Sequence, residues 1–349
     1  MNFRRLWAMF LARNHEFFRD KAAFGWNFLF PFLLVGGFAI VFGSDRYNEY
    51  KIGVFPVTGS AVEIEQLVLP DRFKKQRSFE FIPFASDQEA FDKLKHHKID
   101  FLVKDNSATN EYWVSGTSQK GYIVEQLFNA ALTKPEDVVL GNKRDIQGFE
   151  IRYIDWLFPG ILAMNMMFSA LYGVGYFVVR YRKNGVLKRL KATPLTAFEY
   201  LGSQMLSRNF LIMFTIIIVW VGCDLLFSFQ MAGSYLMLFF LFFIGSLNLT
   251  ALGLVLASRG ISEEFTSGII NFISWPMMFL SEVWFSLEGA PQWVKIVAEA
   301  FPLTHLLTAI RAVMNDGAGI ADISYQLVFL LSMTIGFLII GSVAFSWNK

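Results

Sequence analysis

Residues 180–208 read RYRKNGVLKRLKATPLTAFEYLGSQMLSR. Seven of them are basic (Arg180, Arg182, Lys183, Lys188, Arg189, Lys191, Arg208) against one acid, Glu199. The flanking runs, 157–179 and 210–229, are apolar and long enough to cross a bilayer, which takes about 20 residues. Lys and Arg beside spans resist translocation, so a loop this basic lies on the cytoplasmic side. That placement orients every other segment. Pro194 is expected to begin a helix inside the loop, its backbone being pre-set for a first helical turn.

Composition agrees with a membrane class. Of 349 residues, 54% are hydrophobic and 17% charged, against roughly 45–50% and 25% for soluble domains. Thirty-nine Phe and nine Trp suit lipid-facing surfaces with interfacial aromatics. A formal charge of +2 gives no footprint for nucleic acid. The single cysteine, Cys223, sits within a span and excludes a disulfide framework or a Cys-based metal site. The first 23 residues are amphipathic and contain arginines, unlike the apolar core of a cleavable leader.

Outward from the basic loop, six spans are expected: 24–42, 157–179, 210–229, 235–257, 265–285 and 326–347, with both termini cytoplasmic. Before the first, residues 2–19 set Phe3, Leu6, Trp7, Phe10, Leu11, Phe17 and Phe18 on one helical face and Arg4, Arg5, His15, Glu16 and Arg19 on the other. Such a basic amphipathic helix lies in the membrane interface. Residues 45–155 differ in kind, with 15 Lys/Arg and 18 Asp/Glu. Strands at 51–57, 79–84, 100–103 and 111–114 alternate with helices at 61–69, 88–97 and 122–132, the pattern of a small α/β domain with a partly parallel sheet. Following the first span, this domain lies outside the cytoplasm. The loop 258–264 is short and cytoplasmic. The outer loop 286–325 contains 291–301, too short and mixed to span, and reads as a re-entrant or interfacial helix pair. The fold class is therefore an α-helical membrane protein of six transmembrane helices, with an interfacial N-terminal helix and an extracytoplasmic α/β domain between the first and second spans.

Chemistry is sparse. No P-loop, H-E-x-x-H motif or nucleophile–base signature occurs, and the four histidines (His15, His96, His97, His305) are not spaced as metal ligands. No catalytic residue and no metal site are expected. Ion-coupled transport places ionisable groups mid-membrane. Here Asp224 and Glu282 lie near outer span ends and the span centres carry almost no charge, so a partner supplies the energy.

Two stretches carry a family likeness. Gly185, Lys188-Arg189-Leu190, Thr193-Pro194-Leu195 and Glu199 form the first. The second is Pro276, Leu280-Ser281, Pro291-Gln292-Trp293, Pro302-Leu303-Thr304-His305 and Arg311. In this order, and with the span pattern above, the whole chain resembles the type 2 ABC exporter permeases. Glu282 departs from that pattern, which commonly has Gly after Leu-Ser. The resemblance implies an exporter made of two permeases, as a homodimer or heterodimer, with two separate ATPase subunits that bind ATP and Mg; this chain would carry no cofactor itself. Gly185, Lys188, Arg189, Thr193, Pro194 and Glu199 would couple to the ATPase, Glu199 being offered to a basic partner. Arg182, Lys183, Lys188 and Arg189 would pair with acids or with anionic lipid headgroups. Met164, Asn165, Met166, Met167, Phe168, Asn271, Phe272, Met277 and Phe279 would line the path, helix packing being the plainer reading of each. Glu282, Pro302, Thr304 and His305 would form an outer gate or, more simply, a proline break packed on the bundle. The function expected is a permease that moves an amphiphilic or hydrophobic substrate out of the cytoplasm or inner leaflet. The alternative is a membrane-anchored sensor or scaffold whose external domain binds a ligand.

Overall fold

The computed structural model describes residues 3–42, 50–57, 67, 69–76, 78–105, 111–133, 152–258 and 262–345. They belong to two compact units, a helical one (Met1–Gly43 with Phe149–Lys349) and a sheet unit (Ser44–Gly148).

The helical unit begins with α1 (Phe3–Arg19) and α2 (Lys21–Phe42). Leu6, Phe10 and Asn14, four residues apart, form the buried stripe of α1, the spacing that aligns side chains on one helical face.

The sheet unit comprises β1 (Tyr50–Phe55), α3 (Asp71–Lys74), β2 (Phe79–Pro83), α4 (Asp87–Lys95), β3 (Phe101–Lys104), β4 (Tyr112–Val114) and α5 (Gln119–Leu132). Strand order is β2-β1-β3-β4. β1 runs parallel to both neighbours, pairing Ile52 with Phe81 and with Phe101, and β4 is antiparallel to β3. Alternation along β1 and β3 sends Ile52, Val54, Phe101 and Val103 to one core with Phe73 and Phe128. Phe55 and Leu102 go to the other core with Ala90 and Leu94 of α4. Covering both faces with helices is what a parallel pair requires. Ser86 and Ser118 cap α4 and α5, their hydroxyls accepting from the backbone N–H of Glu89 and Gly121. The partly parallel α/β expectation holds here, with ends shifted by a few residues. The helix expected at 61–69 lies, apart from Leu67 and Leu69, outside the described residues.

The helical unit resumes with α6 (Tyr153–Ala170), a π-helical stretch Leu171–Tyr176, α7 (Phe177–Lys183), α8 (Val186–Lys191) and α9 (Ala197–Phe227). It ends with α10 (Tyr235–Ser258), α11 (Glu263–Leu280), α12 (Gln292–Glu299), α13 (Pro302–Asp316) and α14 (Ser324–Ala344). Among the described residues five helical segments are long and apolar enough to cross a membrane: Phe24–Val41, Tyr153–Lys183, Ala197–Phe227, Tyr235–Ser258 and Ser324–Ala344. The pair α12–α13, bent by 94°, would bring the number to six.

Two expectations need correction. The fifth expected span, 265–285, is not among those five: its helix stops at Leu280, where Ser281 ends the helix and Glu282 adopts a left-handed φ of 58°. The apolar residues that follow belong to a turn, which hydrophobicity alone does not distinguish from helix. The helix expected from Pro194 instead starts at Ala197 behind the cap Thr196, because a cap with a side-chain acceptor satisfies free N–H groups that proline leaves alone.

α10 packs along α14, α13 and the π-helical stretch. In a bilayer, burying Leu against Leu gains little over lipid, so close packing and interhelical hydrogen bonds hold such a bundle. Asn248 Nδ2 donates to the Leu330 carbonyl (2.9 Å) and to Thr334 Oγ1 (3.0 Å), tying α10 to α14. Phe158 of α6 stacks on Phe229 with centroids 4.0 Å apart. At the π-helical stretch, Arg208 Nε donates to the Ser169 carbonyl and Arg13 Nη2 to that of Gly173 (3.3 Å). Gly173 permits this approach, since a Cβ there would lie 1.9 Å from Arg208 Nε.

Candidate functional site

The basic segment forms a joint of three pieces. α7 closes at Gly185, whose φ of 70° is the left-handed geometry glycine adopts at no cost. The chain then makes α8, where Leu187 is buried and Leu190 partly buried against Tyr200, Leu201 and Leu254. That single apolar edge turns Lys188, Arg189 and Lys191 outward. Thr193 and Pro194 are exposed; Thr193 Oγ1 donates to the Leu190 carbonyl (2.6 Å), and the Pro194 carbonyl accepts from Arg5 of α1. A capping box then starts α9: Glu199 N–H donates to Thr196 Oγ1 (3.2 Å) and Thr196 N–H to Glu199 Oε2 (3.0 Å). This reciprocal arrangement satisfies two N–H groups that the helix start leaves free.

Glu199 is only 2% exposed. Its expected role as an acid offered to a basic partner is therefore corrected: the carboxylate is turned inward onto its own helix start. Arg182 and Lys183 are likewise engaged within the chain. Arg182 Nη1 donates to the Ala257 carbonyl at the end of α10, and Lys183 Nζ lies 3.3 Å from Glu263 Oε1, which shares its carboxylate with Tyr176 Oη. The sequence reading missed Phe198, which is 70% exposed in the same segment as the exposed bases. A large aromatic two positions after a helix cap, within a polar stretch, was the available signal.

A second feature is an apolar groove of about 490 Å³ lined by Phe30, Leu34, Met164, Phe168, Trp275, Met278, Phe279 and Trp284. Three of the forecast path residues, Met164, Phe168 and Phe279, meet there. Met166, Met167 and Met277 are buried inside the bundle instead, and their assignment to an open path is corrected. Helical phase is the reason: Trp275, Met278 and Phe279 share a face (i, i+3, i+4), and Met277 points away from it. Asn165 donates to the Asn27 carbonyl (3.4 Å) and Asn271 accepts from Tyr172 Oη (3.0 Å). Phe272 is 80% exposed outside the groove. Trp275 and Trp284 went unremarked because an aromatic in an apolar run carries no mark of which face it takes.

The forecast gate residues form a fixed corner. Pro302 opens α13 after the bend. Thr304 Oγ1 donates to the Ala298 carbonyl (2.7 Å), so Ser281 Oγ must be the donor in its 2.9 Å contact with Thr304. His305 is buried, with Nε2 2.8 Å from the Glu299 carbonyl and its ring over Phe329. Glu282 accepts from Leu287 N–H (2.7 Å) and lies 3.5 Å from Arg311. Arg311 in turn donates to the Glu282 carbonyl (2.6 Å) and sits 3.8 Å above the Trp156 ring. The packed proline break, the simpler of the two readings of this stretch, describes this geometry. Asp224 has a local partner as well, the N–H of Phe229 (3.1 Å).

Residues 21–343 match the profile described as ABC-2 family transporter protein. This chain is a member of that family. The family's multi-pass character agrees with the apolar helices above. The daunorubicin resistance ABC transporter permease protein DrrB1 of Streptomyces coeruleorubidus is 25% identical over 182 residues, 50% of this chain and 62% of its own. The inner membrane transport permease YhhJ of Escherichia coli (strain K12) is 23% identical over 187 residues, 51% of this chain and 48% of its own. The ABC-2 chain thus spans about half the length of the curated relatives it matches. Its basic joint and apolar groove both lie within the matched 21–343, whereas the whole of α1 precedes it.

Proposed function

We propose that this ABC-2 chain is the membrane subunit of an ATP-driven exporter in the cell (inner) membrane. It would span six times, with both termini cytoplasmic and the sheet unit outside. Two copies, identical or closely related, would pair with two separate ATPase subunits that bind ATP and Mg.

The observation that carries this reading is the joint between α8 and α9. It offers Lys188, Arg189, Lys191, Thr193, Pro194 and Phe198 outward, and the capping box fixes the start of α9 that carries Phe198. An exposed aromatic and exposed bases in one short segment have the composition of an interface anchor, Phe in a hydrophobic cleft and bases steering to acids. When ATP closes the ATPases, the joint moves as one piece with α9 behind it. Glu199 acts as a positioning residue for that joint. Amphiphilic or hydrophobic cargo occupies the groove of Met164, Phe168, Trp275 and Phe279, where methionine adapts to varied shapes; the relative named for daunorubicin resistance supports small-molecule cargo. Phe272, Asn271 and Phe279 face the second copy.

The test is co-purification of the tagged chain in mild detergent with its ATPase, comparing wild type, Phe198→Ala and the triple reversal Lys188→Glu, Arg189→Glu, Lys191→Glu. A P-loop ATPase recovered with wild type and lost with the triple reversal is expected. Equal recovery from all three would remove the joint from the mechanism. No ATPase with any of them would favour a ligand-sensing scaffold. That second reading draws on a cleft of about 790 Å³ in the sheet unit, lined by Lys51, His97, Lys98, Asp100 and residues 117–120.

A further inference from the structure

A small cavity of about 260 Å³, with charged and apolar side chains both in its walls, lies between α1, the start of α2, α7 and α9, apart from the joint and the groove. Its charged lining is Arg13, Arg180 and Arg208 with Glu16 and Asp20, three positive against two negative, a net of +1. Arg13 and Glu16 are paired at 2.6 Å. Arg208 reaches the Ser169 carbonyl and hydroxyl (2.5 and 2.8 Å), and among the described residues no carboxylate pairs with it. Gln204, 3% exposed, lines the same cavity, and its Nε2 has no hydrogen-bond partner. A buried amide donor left unmade is costly, and native structures rarely keep one without a ligand, ion or water to satisfy it.

We propose that this cavity binds the phosphate of an anionic lipid headgroup, held by Gln204 Nε2, Arg180 and Arg208. The net charge balances one phosphodiester monoanion. The volume falls below the ~300–1,000 Å³ of drug-sized sites, so the headgroup enters while the acyl chains stay outside. The neighbours favour a lipid source. α1 is a basic amphipathic helix with Phe3, Trp7, Leu11 and Phe18 exposed, the composition that rests at headgroup level beside anionic leaflets. The inference rests on the membrane reading of the helical unit and is independent of any ATPase.

The experiment follows thermal unfolding of the full chain in a neutral detergent by tryptophan fluorescence. It is titrated with dioctanoyl phosphatidylglycerol, with sodium phosphate, or with dioctanoylglycerol, which has the same chains and no phosphate. Phosphatidylglycerol is expected to raise the midpoint saturably, and dioctanoylglycerol to leave it unchanged. Gln204→Leu is expected to raise the lipid-free midpoint, by removing the unsatisfied amide, and to weaken the lipid at least about tenfold. Opposite signs in one variant do not arise from misfolding. Arg180→Gln, at an exposed position, weakens the lipid in the same direction. Equal shifts from dioctanoylglycerol, or an undiminished lipid response in Gln204→Leu, would overturn the proposal. Phosphate matching the lipid in affinity would keep the phosphate site and reject the lipid as its source.

Discussion

The helical unit has two proline-marked corners, and they treat charge in opposite ways. At Pro194 the bases Lys188, Arg189 and Lys191 point outward and only Glu199 is folded in. At Pro302 the ionic groups are paired: Arg311 holds Glu282 and lies over the Trp156 ring, with a separate Ser281–Thr304 hydrogen bond at the same corner. Under the proposed function, the difference is that between a surface kept for a partner and a corner that holds the chain's own shape. Exposed bases cost almost nothing to change in isolation, whereas a buried base without its acid is expensive.

That contrast is sharpened by substitution. Arg311→Leu should be the most damaging, destabilising by about 2–3 kcal/mol. This lies under the ~3–5 kcal/mol for breaking a fully buried pair because Glu282 keeps 32% of its side chain exposed. The check is the unfolding midpoint in detergent, and a midpoint within a degree of wild type would mean that this corner does not hold the chain's shape. Gly173→Ala comes next. Its methyl collides with Arg208 at the π-helical stretch, an overpacking cost of ~1–3 kcal/mol read in the same melt. Thr196→Ala removes half of the capping box and should cost ~1 kcal/mol; it should also loosen the joint, visible as faster hydrogen exchange at residues 196–200. The triple charge reversal at Lys188, Arg189 and Lys191 should change stability least, each site within ~0.5 kcal/mol, while abolishing partner binding. A large loss of stability from that variant would break the distinction between the corners.

How far the sequence showed these features depended on what each feature leaves in it. The apolar helices, the amphipathic stripe of α1 and the four strands were legible, because periods of 3.6 and 2 record which face is wet. The end of α11 was not. Leu280 is followed by Ser281-Glu282 and then by Val283, Trp284 and Phe285, so a single polar pair is all that marks the turn in an otherwise apolar run. Burial of Glu199 was equally hidden: Thr196 and Glu199 have capping-box spacing, yet spacing does not say whether a carboxylate turns in or out. The groove was partly legible, with Met164, Phe168 and Phe279 forecast and Phe30, Leu34, Trp275, Met278 and Trp284 not. The cavity around Gln204 was invisible, as its walls are gathered from α1, α2, α7 and α9.

α9 has 31 residues, and at 1.5 Å per residue it is about 46 Å long. Hydrocarbon is only ~30 Å thick, and an average tilt near 20° shortens the projection to about 43 Å. Some 13 Å of stiff rod must therefore stand clear of the oily layer at one end or both. Its polar end, from Glu199 through Arg208, is packed against α1, where Ser207 Oγ donates to Asn14 Oδ1. The consequence is a braced lever: under the proposed function, a push at Phe198 enters the membrane through α9 and α1 together, not through a lone rod.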